Sequence, residues 1–153
     1  MMGLRSTIRR LLLGALLGVA ALSQAADLST PEGLWQPLDS SGKPQGLIRI
    51  YQEQGVYFGR IEASSPSDDN AARCVKCTDE RKDQPIIGMV LIRNMRQQGS
   101  GYEGGDILDP DTGRLYGCKF HLIDGGHNMI MRGFFGLSLL GRSQTWRRVD
   151  ATH

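Results

Sequence analysis

The sequence has no block of Lys and Arg interleaved with aromatic residues, no heptad pattern and no internal repeat. The first absence leaves no platform for nucleic acid, whose binding depends on surplus cations that neutralise phosphates. The others remove a coiled coil and a repeat solenoid from consideration. Histidine is confined to His121, His127 and His153, and no serine stands in a nucleophile-elbow pattern ahead of them, so hydrolase chemistry has little to build on. The glycine clusters Gly99-Ser100-Gly101 and Gly104-Gly105 lack the following lysine and helix that a phosphate loop requires. No catalytic residue, cofactor or metal is therefore assigned, and the chain reads as a binding or structural protein sooner than an enzyme.

A single long apolar run is present. Arg5, Arg9 and Arg10 precede the segment from Leu11 to Leu22, which ends in Ser23-Gln24-Ala25-Ala26. Twelve residues are too few for a membrane helix of roughly 20. Basic residues, a short apolar stretch and small residues before a cut form the layout of a signal peptide. The reading is a signal peptide over residues 1–25, export to the periplasm, and one domain over residues 26–153 with no membrane span. Cleavage leaves 128 residues, enough for one core. It also removes three arginines and no acid, so 18 basic against 16 acidic residues becomes 15 against 16, a formal charge of −1.

Most glycines after that point separate short segments in which apolar and polar side chains alternate, the two-residue period of a half-buried strand. Strands are predicted at 33–36, 47–52, 56–63, 86–93, 102–108, 114–123, 128–134 and 143–149. Ser41-Gly42, Gln54-Gly55, Asp111-Thr112-Gly113 and Asp124-Gly125-Gly126 supply compact turns between them. The fold class is all-β: a small antiparallel barrel of about eight strands, whose closure removes exposed edges. Trp35 and Trp146 are expected to be buried where the first and last strands meet. Residues 64–85 form one long polar loop, a length often associated with function or mobility. Phe135 to Gly141 is read as a brief helical turn covering a barrel end.

Cys74-Val75-Lys76-Cys77 has a spacing shared by redox dithiols and metal knuckles. It lies in the polar loop with no helix after it, which argues against a catalytic dithiol. Adding Cys118 and His121 completes a zinc-like count, but three residues apart on a strand they point to opposite faces. An oxidising compartment favours a Cys74–Cys77 disulfide and a free, buried Cys118 beside Tyr116 and Phe120. Pairing of Cys118 with either loop cysteine is the alternative. Asp109-Pro110-Asp111-Thr112-Gly113 matches a calcium loop only at its start and is read as a turn. Paired acids such as Glu62 with Asp106 or Glu103 have the chemistry for acid/base work, and most are expected to be solvated. Arg60, Arg132, Tyr57 and Tyr102, with Trp35 and Trp146, are the candidates for lining a cavity that holds a small amphipathic ligand.

Several stretches resemble a known family when taken in order: Gly33-Leu34-Trp35, Tyr57-Phe58-Gly59-Arg60-Ile61, Asp83-Gln84-Pro85-Ile86-Ile87-Gly88, Gly104-Gly105-Asp106 through Asp111-Thr112-Gly113, Met131-Arg132-Gly133, and Leu140-Gly141-Arg142-Ser143-Gln144-Thr145-Trp146. The chain is similar to the exported bacterial proteins known as domain of unknown function 2147. The resemblance implies a lipocalin-like barrel and an envelope location, and it carries over no catalytic residues. The usual family pattern has an Asn-Pro stretch before an Arg-x-Arg-Pro segment. Here Cys74 to Cys77 and Arg81-Lys82-Asp83-Gln84-Pro85 stand instead, as in a cysteine-bearing branch. The functional readings are a periplasmic carrier or binding module for a small apolar or amphipathic molecule, or a packed structural module contacting an envelope protein.

Overall fold

The computed structural model describes residues 27–65, 69–137 and 139–149. Within them eight strands form a closed antiparallel barrel in which each strand pairs with the next and the last returns to the first. They are β1 (Gly33–Pro37), β2 (Leu47–Glu53), β3 (Val56–Ala63), β4 (Val90–Gln98), β5 (Gly101–Asp109), β6 (Arg114–Ile123), β7 (Asn128–Phe134) and β8 (Gly141–Val149), with one 3-10 turn at Asp124–Gly126. The signal-peptide reading of residues 1–25 lies outside the described residues.

Alternation fixes which side chains fill the barrel, because a strand turns successive residues to opposite faces. In β3, Tyr57 and Ile61 are buried while Arg60 is exposed. In β7, Met129 and Met131 are buried, and in β8 Trp146 and Arg148 are. Trp35 and Trp146 sit where β1 meets β8, with Pro37 opposite Trp146 and Trp35 opposite Arg148. The structure starts the fourth strand at Val90, not at Ile86. Ile86 and Gly88 spend their amides on Ala72 O and Ile61 O, and Gly88 takes a left-handed φ of 87°, so the chain bends there before pairing. The strand then runs on through the polar Arg96, Gln97 and Gln98, because their pairing with Glu103, Tyr102 and Gly101 is backbone bonding indifferent to side-chain polarity.

The two ends of the barrel differ. At the lower end the connections are short, and residues 27–32 lie across it. Leu28 O comes so close to Gly126 that a Cβ there would stand 1.9 Å away. Trp35 Nε1 donates to Pro31 O at 2.8 Å. The guanidinium of Arg148 donates to Gly126 O, Glu32 O and Thr30 O, each at 2.7 Å, and stacks 4.3 Å from the Trp35 ring. At the upper end three of the four connections are longer, residues 38–46, 64–89 and 135–140, and the fourth is the short turn 110–113.

The cysteine segment of the 64–89 connection packs onto the barrel instead of standing in solvent. Cys74 and Cys77 form a disulfide and are both buried. Lys76 O presses on the β5–β6 turn so closely that Gly113, at φ 72°, has no room for a side chain. Arg81 is buried, chelating the Asp79 carboxylate and donating to Val90 O at 3.1 Å. Arg93 on β4 pairs with Glu80 beside it.

Candidate functional site

The lower half of the barrel is filled. Tyr57 meets Tyr102 edge-on at 5.0 Å, and Tyr102 stacks on Phe120 at 4.7 Å. Trp35, Met95 and Met129, each fully buried, complete the layer. Burial pushes the Tyr102 hydroxyl above its ordinary value, with Tyr57 adding to the shift. Below this layer is a smaller space of about 490 Å³ bounded by Leu28, Ser29, Tyr102, Leu122 and Gly126.

The upper half opens into a cavity of about 1960 Å³. Its inner wall is apolar: Ile48, Ile61, Leu91, Ile107, Met131 and Trp146. Polar residues line it as well, among them Gln45, Ser64, Ser65 and Ser143. Tyr116 and Gln144 face it, and the Gln144 side chain accepts a bond from Trp146 Nε1 at 2.9 Å. Gly133 adds no side chain to the wall, and a Cβ built there would meet nothing closer than Ile107 Cγ2 at 3.7 Å and Tyr116 Cβ at 3.9 Å. The rim carries Asp39 on the β1–β2 connection and Asp109 and Asp111 at the β5–β6 turn, with the 135–140 connection between them.

The four residues singled out from sequence are not brought together. Tyr57 and Tyr102 face inward but belong to the filled half. Arg60 points outward, with its guanidinium on Glu62 at 3.0 Å and over the Tyr51 ring. Arg132, also between two inward residues, lies outside and donates to Ser143 Oγ and Leu139 O. The physical reason is strand parity: a residue adjacent to a core position on the same strand faces away from it. That parity, applied to Met131 and Ile61, is the signal that could have found the cavity wall. Glu62 serves Arg60 and Arg49, which hold its carboxyl below the usual range, and it makes no pair with Asp106.

The zinc-like set also separates. Cys74 and Cys77 are bonded to each other, Cys118 is inside the barrel, and His121 is exposed on the outer face. Among the described residues no group of three or more His, Cys, Asp or Glu side chains could hold a metal ion. Asp109 caps its own turn, accepting from Asp111 N at 3.0 Å and Thr112 Oγ1 at 2.7 Å. The thiol of Cys118 sits against Met95 Sδ, and burial pushes it up to about 12. Alkylation at neutral pH is therefore expected to label Cys118 only after denaturation. Labelling of the native protein at a rate near that of a free thiol overturns this placement.

The 135–140 connection lies at the cavity mouth as expected, but its described residues form no helix. It is a hairpin loop with a turn closed by Leu140 N on Leu137 O at 3.0 Å. Phe135, Leu137, Leu139 and Leu140 are 71–85% exposed. Gly136, at φ 72°, turns the chain before a helix can start.

Comparison with known proteins agrees with this architecture. A family model described as an uncharacterized protein conserved in bacteria (DUF2147) matches residues 33–148. No curated protein matches the chain. Among solved structures, protein HP1028 from the human pathogen Helicobacter pylori, described as belonging to the lipocalin family, superposes with a TM-score of 0.70 at 13% identity, covering 80% of this chain and 84% of that one. At that identity the likeness is one of fold.

Proposed function

Because the chain belongs to the DUF2147 family and folds as a lipocalin-like barrel filled at one end and open at the other, we propose that it is a carrier or binding module for a small apolar or amphipathic molecule held in the upper cavity. The observation that carries this reading is the asymmetry of the interior. Aromatic and methionine side chains close the lower half, whereas the upper half leaves open space in which apolar side chains such as Ile48, Ile61 and Met131 stand beside polar ones such as Gln144, Tyr116 and Ser65. Such a wall suits an amphipathic ligand, one part buried against the apolar side chains and the other held by hydrogen bonds. The arginines and apolar run of residues 5–22 support export and a periplasmic location. Protein recovered from that compartment should begin at Ala26 or Asp27.

Filling the cavity without disturbing the barrel tests the proposal. Gly133→Phe introduces a ring where ordinary contacts begin only at 3.7 Å, so the ring can project into the open space. Titration with the fluorescent apolar probe phenylnaphthylamine is expected to show saturable binding by the unmodified protein. Binding should fall by about ten-fold or more in Gly133→Phe, as expected when apolar contact area is occupied, with little change in melting temperature. Equal binding by both proteins, or none by the unmodified one, removes the ligand-carrier reading.

A further inference from the structure

The tip between β7 and β8 is apolar and exposed, although Phe135 meets the Tyr116 ring edge-on at 6.5 Å. Phe135, Leu137, Leu139 and Leu140 are carried by the hairpin end at the rim of the open cavity. Arg132 fixes the base of the tip by donating to Leu139 O at 3.1 Å, and Arg142 stands exposed beside it on β8. Of the arginines on β7 and β8, Arg132 and Arg142 stand at the base of the tip, whereas Arg147 and Arg148 lie at the closed end of the barrel. We propose that this tip is a membrane-docking element, inserting its four apolar side chains into an anionic lipid surface while arginines at its base meet the headgroups.

Two observations favour lipid over a protein partner. A tip of four side chains falls far short of the roughly 20–30 residues that each side of a stable protein interface contributes. A bilayer needs no matching groove, since its headgroup and acyl boundary accepts a small apolar projection and anionic lipid attracts the flanking cations. The rim carboxylates stand on the two connections that flank the tip, Asp39 between β1 and β2 and Asp109 and Asp111 at the β5–β6 turn, so insertion is confined to the tip itself if they are to stay clear of anionic headgroups. Docking does not require that the cavity bind anything.

The test uses the chain beginning at Ala26, so that the apolar run of residues 11–22 cannot partition by itself; β1 to β8 and the 27–32 segment are all retained. Co-sedimentation is measured with vesicles of mixed phosphatidylglycerol and phosphatidylcholine and with phosphatidylcholine alone. Binding to the anionic vesicles is expected and should fall about 100-fold when Phe135, Leu137, Leu139 and Leu140 are all changed to Ser. Arg142→Gln should lower it about five-fold. Leu139→Asp, at the most exposed position, provides the same test if the fourfold variant fails to fold. Unmodified protein that stays in the supernatant, or tip variants that bind as it does, overturn the proposal. So does self-association abolished by the tip changes without vesicle binding, which would assign the tip to a second copy of the chain. Gly133→Phe separates the two readings, because it fills the interior and leaves the tip unchanged, so it should lose probe binding and keep vesicle binding.

Discussion

Arg148→Ala is expected to destabilise the barrel by about 4 kcal/mol, lowering the melting temperature by roughly 15 °C. Three carbonyls, Thr30 O, Glu32 O and Gly126 O, take charge-assisted bonds from one guanidinium, which is 7% exposed and lies over the Trp35 ring. Truncation leaves those acceptors without their donor at the closed end and uncovers the indole face. Arg148→Lys should recover only a minor part, since a single ammonium cannot span acceptors on both the 27–32 segment and the 3-10 turn. Chemical denaturation with tryptophan fluorescence reads both variants. A loss below about 1 kcal/mol for Arg148→Ala would show that the closed end is held by strand pairing alone.

Asp79→Asn is expected to release the cysteine segment from the barrel while leaving the strands paired. The buried Arg81 guanidinium has Asp79 as its ion-pair partner, and a neutral amide leaves that cation in place without its counter-charge. Breaking a buried pair in this way costs about 3–5 kcal/mol, reduced here to about 2 kcal/mol because Asp79 keeps partial contact with water. Protection of the Cys74, Asp83 and Ile86 amides, which bond to Gln84 O, Cys74 O and Ala72 O, should fall about thirty-fold. Unchanged protection refutes the role given to the pair.

The same contact predicts acid sensitivity. Hydrogen bonds from Arg81 hold the Asp79 carboxyl down from 3.8 to about 2. A depressed carboxylate stabilises the fold fully above its unfolded value, and that contribution is lost as pH falls from 3.8 through about 2. Asp106 acts in the opposite sense. Burial raises its carboxyl, so protonation there relieves a desolvated charge as pH falls toward its ordinary value. Release of the segment should therefore be concentrated at the acid end of the window, near the Asp79 transition.

Much of the architecture was legible in the residues. Seven of the eight strands follow the predicted segments to within two residues at either end, because alternation and glycine turns are local properties of the chain. The Cys74–Cys77 disulfide and the buried Cys118 were readable from spacing and from the apolar row of β6. Trp35 and Trp146 could be placed at the closure because they lie on the first and last strands. The fourth strand was missed at its start because Ile86, Ile87, Met89 and Leu91 look like strand residues, whereas contacts from Ile61 and Ala72, far away in sequence, bend the chain there.

The site divides along the same line. Period-two patterning and turn chemistry, both set by neighbouring residues, determined that the chain is an antiparallel barrel with these side chains on alternate faces. They do not determine which inward residues face packed atoms and which face open space, since that depends on strands meeting across the barrel. Tyr57 and Ile61 share one face of β3, yet one is buried in an aromatic stack and the other borders a cavity, because register brings Tyr102 and Phe120 to the first level and the small Gly133 to the second. Likewise Arg148 reads as one more strand arginine until closure of β1 on β8 carries it under residues 27–32, where three backbone oxygens and an indole surround it.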